Sequence, residues 1–270
     1  MEIDPSFWFM LPVAIAIATI AMMAGIGGAI LFAPFFMLVL KLDPVVALGA
    51  GLVIEFFGFS SGVIGYLRKR EIDFSLVKSL VIFTVPATIA GVFLGRLVPA
   101  FSLQIMIIAL LVYLAYQFIF TGKECVPKDP RCTGTSGKSD RWLPNWKTRT
   151  SSLLGGLLVG MISTGLGEIN ELNFLKRMKL PVATASGTSV FLVAMSAIAG
   201  SIVHGYFLLS EGNLAVLTDV VSVLVFTVPG VIIGAQIGVL LANGINAHLM
   251  GKLVGFLFLV LAVLTLMLVI

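Results

Sequence analysis

The chain has 270 residues, 59% of them hydrophobic and only 11% charged, with a mean hydropathy of +1.11. A soluble domain carries roughly a quarter charged residues, so a soluble fold and a hidden soluble catalytic domain are both excluded. The net charge of +4 arises from 17 Lys and Arg against 13 Asp and Glu; because the basic residues flank apolar runs, they read as topology markers, the lipid bilayer is the expected partner and nucleic acid is not.

The chain opens Met-Glu-Ile-Asp-Pro, with no basic segment ahead of its first apolar run, so that run is expected to be retained. Phe7 to Leu40 is apolar but interrupted by Gly25-Ile26-Gly27-Gly28 and by Pro34. It is too short for two comfortable spans and a turn, and a broken helix or re-entrant hairpin fits better. Pro44 to Tyr66, Leu76 to Val98 and Leu103 to Phe120 then read as full spans of about 20 residues each. Thr121 to Thr150 is polar and contains Cys125 and Cys132. Two cysteines without a nearby His do not make a structural zinc site, and no cofactor is called for; a local disulfide stays open. Ser152 to Met178 is a second interrupted segment, and its far arm, Glu168 to Met178, is too polar to face lipid and must be buried or line water. Pro181 to Tyr206, Leu214 to Leu241 and Ala247 to Ile270 complete the series.

The two halves repeat one another. Phe83 to Gly95, FTVPATIAGVFLG, and Phe226 to Gly238, FTVPGVIIGAQIG, share seven of thirteen positions. In the same order, Gly25-Ile26-Gly27 matches Gly165-Leu166-Gly167, Lys41-Leu42 matches Lys179-Leu180, Pro44 matches Pro181, and Gly65-Tyr66 matches Gly205-Tyr206. The expected fold is an all-α polytopic membrane protein of two inverted repeats, each a broken or re-entrant helical hairpin plus three transmembrane helices. Residues 1–120 form the first repeat, 121–150 a cytoplasmic linker loop and 151–270 the second repeat. With the N-terminus outside, only Lys41 and Arg96 of the 17 basic residues lie outside, as the positive-inside rule favours. The cysteines are then cytoplasmic and reduced by default.

Inverted repeats with broken helices are a plan of secondary transporters, in which the breaks offer unpaired backbone groups to substrate. Gly25, Gly27 and Gly28, with Gly165 and Gly167, mark the two breaks, where glycine permits irregular backbone and close approach of a ligand. Exposed amides at a helix start bind an anion without Lys or Arg, although glycines also serve plain helix packing. Gly187, Thr188 and Ser189 add hydroxyls and a flexible point early in the next span. Glu55 lies inside a span, where an ionised carboxylate costs roughly 2.5 to 3.5 kcal/mol on insertion scales. Glu168, Asn170 and Glu171 cluster in the second interrupted segment. Carboxylates beside an anion repel it unless protonated, which points to proton coupling; the alternative is surface pairing of Glu168 and Glu171 with Lys176 and Arg177. Pro86 and Pro229, at equivalent mid-helix positions, are hinge candidates or static kinks. His204 and His248 fall near opposite faces and make no metal pair.

With these motifs in place the chain resembles the TauE/SafE family of sulfite exporters, also called the TSUP permeases, outside the central loop. The likeness rests on Ala24-Gly25-Ile26-Gly27-Gly28 with Pro34, Tyr66 to Phe74 (YLRKREIDF), the Gly91 to Gly95 spacing, Gly165-Leu166-Gly167-Glu168-Ile169, Ala185-Ser186-Gly187-Thr188-Ser189, Ala199-Gly200-Ser201 and Pro229 to Gly238. The chain departs from the family pattern at Ala29 and in the polar run Glu-Ile-Asn-Glu-Leu-Asn. The resemblance implies movement of sulfite, sulfonates or other sulfur-containing small organic anions across the plasma membrane. An anion channel or a non-transporting membrane partner subunit is the alternative, and a homodimer stays open. An intramembrane enzyme is not expected, because no Ser/His pair at a common depth and no pair of intramembrane aspartates is present.

Overall fold

A computed structural model of the chain describes residues 4–24, 28–116, 119, 145–178, 180–210, 214–241 and 247–269. Among them the chain is helical, with no strand. A short 3-10 turn, Pro5–Phe9, leads into α1 (Met10–Ala24), followed by α2 (Ala29–Val39), α3 (Pro44–Arg68), α4 (Phe74–Leu97) and α5 (Ala100–Tyr116). The second half holds α6 (Trp146–Ile162), α7 (Leu166–Lys176), α8 (Val182–Ser210), α9 (Leu214–Leu241) and α10 (Ala247–Val269).

Local chemistry sets several boundaries. Asp43 caps α3 by accepting from Val45 N at 2.9 Å, with Pro44 in the first turn, where its missing N–H costs nothing. Asp73 caps α4 by accepting from Ser75 N and Leu76 N. α6 ends at Ser163 in the left-handed conformation (φ 59), and Gly165 (φ 110) turns the chain into α7; a φ of that size favours glycine. The second leading segment is therefore broken at Ser163–Gly165; in the first, α1 is described to Ala24 and α2 from Ala29. α2 and α7 have 11 residues each, about 16 Å of helix, roughly half of a hydrocarbon core.

Five helical stretches are long and apolar enough to cross a bilayer: Pro5–Met22, Pro44–Arg68, Phe74–Leu97, Ala183–Ser210 and Val216–Gly238. Their outer faces carry large apolar side chains such as Ile82, Leu97 and Ile202, each at least 66% exposed. In water such a surface would drive association, whereas in a bilayer it is the lipid contact. The protein is a multi-pass membrane protein.

The helices of the two halves pack reciprocally. α1 lies along α9 and α6 lies along α4; α3 packs on α8, and α5 on α10. Glycine seams bring the first two pairs together. Gly156 faces Thr84 O, where a Cβ would come within 2.6 Å, and a Cβ on Gly160 or Gly91 would strike Thr88 O or Leu157 O. On the other pair, a Cβ on Gly230 would come within 2.7 Å of Leu11 O, and one on Gly234 within 2.5 Å of Ile15 O. Side chains that small let backbones touch, a principal source of helix association in lipid. Gly91 and Gly234 occupy the same position of the repeated FTVP segment. Along both seams residue numbers rise together, so these pairs run parallel. Between α3 and α8, Gly49 meets His204, Leu52 meets Gly200, and Gly62 meets Val190, so those two helices run antiparallel.

Candidate functional site

α3 runs through the middle of the molecule, and Glu55 lies halfway along it, 4% exposed. Its Oε2 finds no hydrogen-bond donor among the described residues. It lines a cavity of about 20 Å³, room for roughly one water, together with Gly28, Gly58, Phe59, Ala18 and Ala235. This cavity joins Gly28, at the start of α2, to the middle of α9.

A second cavity, also about 20 Å³, lies beside the break of the second half. Gly167, Glu168 and Glu171 of α7 face Ser186, Ser189 and Val193 of α8 across it, and Phe59 of α3 closes it. Ser186 Oγ donates to Glu171 Oε1 at 2.7 Å, and Ser189 Oγ donates to the Gly167 carbonyl at 2.9 Å. Among the described residues, neither cavity has a Lys or Arg in its lining. An anion entering either would therefore depend on backbone amides and hydroxyls.

The polar arm of the second break is held from behind by α6. Asn170, fully buried, accepts from Ser152 Oγ at 2.7 Å, and Asn173 Nδ2 donates to Ser151 Oγ at 2.8 Å. The expectation that this arm is buried or lines a polar space agrees with these contacts. Ser163 Oγ donates to Leu48 O at 2.6 Å, which fastens the break to the start of α3.

Of the residues singled out in the sequence, Gly28, Glu55, Gly167, Glu168, Glu171 and Ser189 thus lie on the two cavities. Gly165 supplies the turn behind Gly167. Gly187 and Thr188 instead hold α8 to the α3–α4 turn: a Cβ on Gly187 would come within 2.6 Å of Glu71 O, and Thr188 Oγ1 accepts from Asp73 N at 3.0 Å. Pro86 and Pro229 lie inside α4 and α9. Val231, two residues beyond Pro229, reaches the first cavity. Gly25, Gly27, Cys125 and Cys132 lie outside the described residues. His204 packs on Gly49.

Sequence reasoning missed Phe59, Ser186 and the contact of Gln236 Nε2 with Ser61 Oγ at 2.5 Å. Phe59 had one available signal: it follows Glu55 by four residues, so the two share a face of α3.

The model of the family described as "Sulfite exporter TauE/SafE" matches residues 10–265. The chain belongs to that family. The match takes in both breaks and both cavities. A relative from Bacillus subtilis (strain 168), "Probable membrane transporter protein YjnA", is 25% identical over 235 residues, covering 80% of this chain and 84% of that protein. "Probable membrane transporter protein YunE" of the same organism is 21% identical over 216 residues, covering 74% of this chain and 78% of that protein. No solved structure gave a significant match. Family and fold together identify a membrane transporter.

Proposed function

We propose that this TauE/SafE protein carries small anions, such as sulfite, sulfonates or other sulfur-containing organic anions, across the plasma membrane in exchange for or together with protons. The observation that carries this reading is the placement of one small cavity at the start of each short helix, α2 and α7, with Gly28 at one and Gly167 at the other. At both positions a Cβ would meet only ordinary contacts, 3.6 Å to Phe32 and 3.5 Å to Val193, so packing does not demand glycine there. Approach of a ligand does account for it.

Two further features support a carrier. Cavities with room for about one water are too small for a standing anion path, so passage requires the helices to move. Reciprocal packing of α1 on α9 and α6 on α4, with α3 antiparallel to α8, suits an inverted repeat that rocks about a central site. In this reading the N-terminus is outside, residues 121–150 are cytoplasmic, and Glu168 carries the coupling proton.

The test is a transport screen of sulfite, sulfate, sulfoacetate and taurine in proteoliposomes. Saturable counterflow of at least one of the four is expected. Glu168→Gln should keep that exchange but lose accumulation driven by a pH gradient. Flux that never saturates would make the protein a channel, and no flux of any of the four would remove the anion assignment.

A further inference from the structure

The two cavities share a single lining residue, Phe59. On one side of its ring lies Glu55, one helical turn earlier on the same face of α3, with a carboxylate oxygen that has no donor among the described residues. On the other side lie Glu168 and Glu171 of α7. Three carboxyl groups thus stand in two small chambers in series, and the 8% exposed phenyl ring lies between them.

We propose that the chambers are successive stations of one proton path and that Phe59 is the barrier between them, a role that rests on the transport reading above. A proton held on the Glu55 carboxylate would leave it for Glu168 or Glu171, one O–H bond breaking as the other forms, with no other reactant. Each chamber has room for about one water, so a hydrogen-bonded chain can reach the ring from both sides but cannot cross it. An apolar constriction resists wetting and so blocks ions and protons until it moves.

Removal of the ring should therefore join the chambers and let protons through without substrate. Proteoliposomes containing a pH-sensitive dye, under a potassium gradient clamped with valinomycin and without added anion, read this directly. The wild-type protein is expected to be as tight as protein-free vesicles. Phe59→Ala should leak about tenfold faster or more, the change given by a barrier lowered by ~1.4 kcal/mol. Phe59→Trp should stay tight, and Phe59→Ala with Glu55→Gln should fall back towards wild type. If Phe59→Ala is not monodisperse in detergent, Phe59→Leu is measured in its place and should leak to a lesser degree. A leak no greater than wild type in the folded variant overturns the barrier. Sulfite counterflow on the same vesicles separates the two readings: wild-type counterflow with a tight Phe59→Ala sinks the barrier alone. A leaking Phe59→Ala with no wild-type anion flux sinks the anion reading and leaves the barrier standing.

Discussion

Glu55 is retained at a position where a hydrocarbon side chain would suit the surroundings better. A buried polar atom without a partner costs about 1–3 kcal/mol, and the other described residues lining the cavity of Glu55 are all glycine or apolar. Glu55→Gln removes the charge at nearly constant shape. It should leave the melting temperature in detergent unchanged or higher while abolishing accumulation of substrate against a gradient, the trade expected of a functional group kept at the expense of stability. A fall in melting temperature would instead show that Glu55 holds the fold through its charge. Glu55, Gly28 and Gly167 were legible in the sequence because a carboxylate within a span and glycine runs that break a helix are out of place in a lipid-spanning segment. Phe59 was not, since its spacing of four residues from Glu55 is a faint signal for one phenylalanine among 20 in a chain 59% hydrophobic. Its position between two cavities is a tertiary fact. Thr188 shows the converse: its hydroxyl was visible, but its partner, the backbone of Asp73, is 115 residues away in sequence.

At the scale of the helices, the glycines divide into two groups. Gly156, Gly160, Gly230 and Gly234 stand where backbone of a neighbouring helix leaves no room for a Cβ, whereas Gly167 does not. Gly160→Ala should destabilise the protein by about 1–3 kcal/mol through overpacking, visible as a lowered melting temperature. Gly167→Ala should be nearly neutral in the same melt, and Gly167→Leu should reach the membrane yet lose transport. Equal destabilisation by the two alanines would assign Gly167 to packing. The spans themselves were readable to within a few residues, because apolar runs between Asp-Pro, Lys-Arg and Gly signals have few alternatives. α5 begins at Ala100 rather than Leu103, as Pro99 stops α4 and the new helix starts directly after it. Which helix pairs with which was not readable, since hydropathy says that a face is apolar and nothing about its partner. Gly91 and its counterpart Gly234 in the repeated segment mark one side of each parallel seam.

For the whole molecule, the distribution of basic residues and the packing make separate statements. Reciprocal contacts between the halves describe how the helices sit on each other; only charge says which end faces the cytoplasm. The proposed orientation, with the N-terminus outside, would put 15 of 17 Lys and Arg on the cytoplasmic side. Thiol labelling of intact cells checks it. Native Cys125 and Cys132 should be protected from an impermeant reagent, whereas a cysteine in place of Ser210, at the end of α8, should react. The opposite pattern would reverse the orientation without altering the packing.

The seam between α1 and α9 also bears on how the protein is made. Thr19 donates to the carbonyl of Gly234, a partner 215 residues further along the chain. At about 5–20 residues per second of synthesis, α1 leaves the ribosome roughly 10–40 s before its partner exists. In that interval the close-packing surface of α1, with Ala14 and Ala18 along it, must be sheltered by lipid or by the insertion machinery. A ribosome stalled ahead of α9 would therefore leave behind an unmatched helix, open to whatever quality-control protease patrols the bilayer.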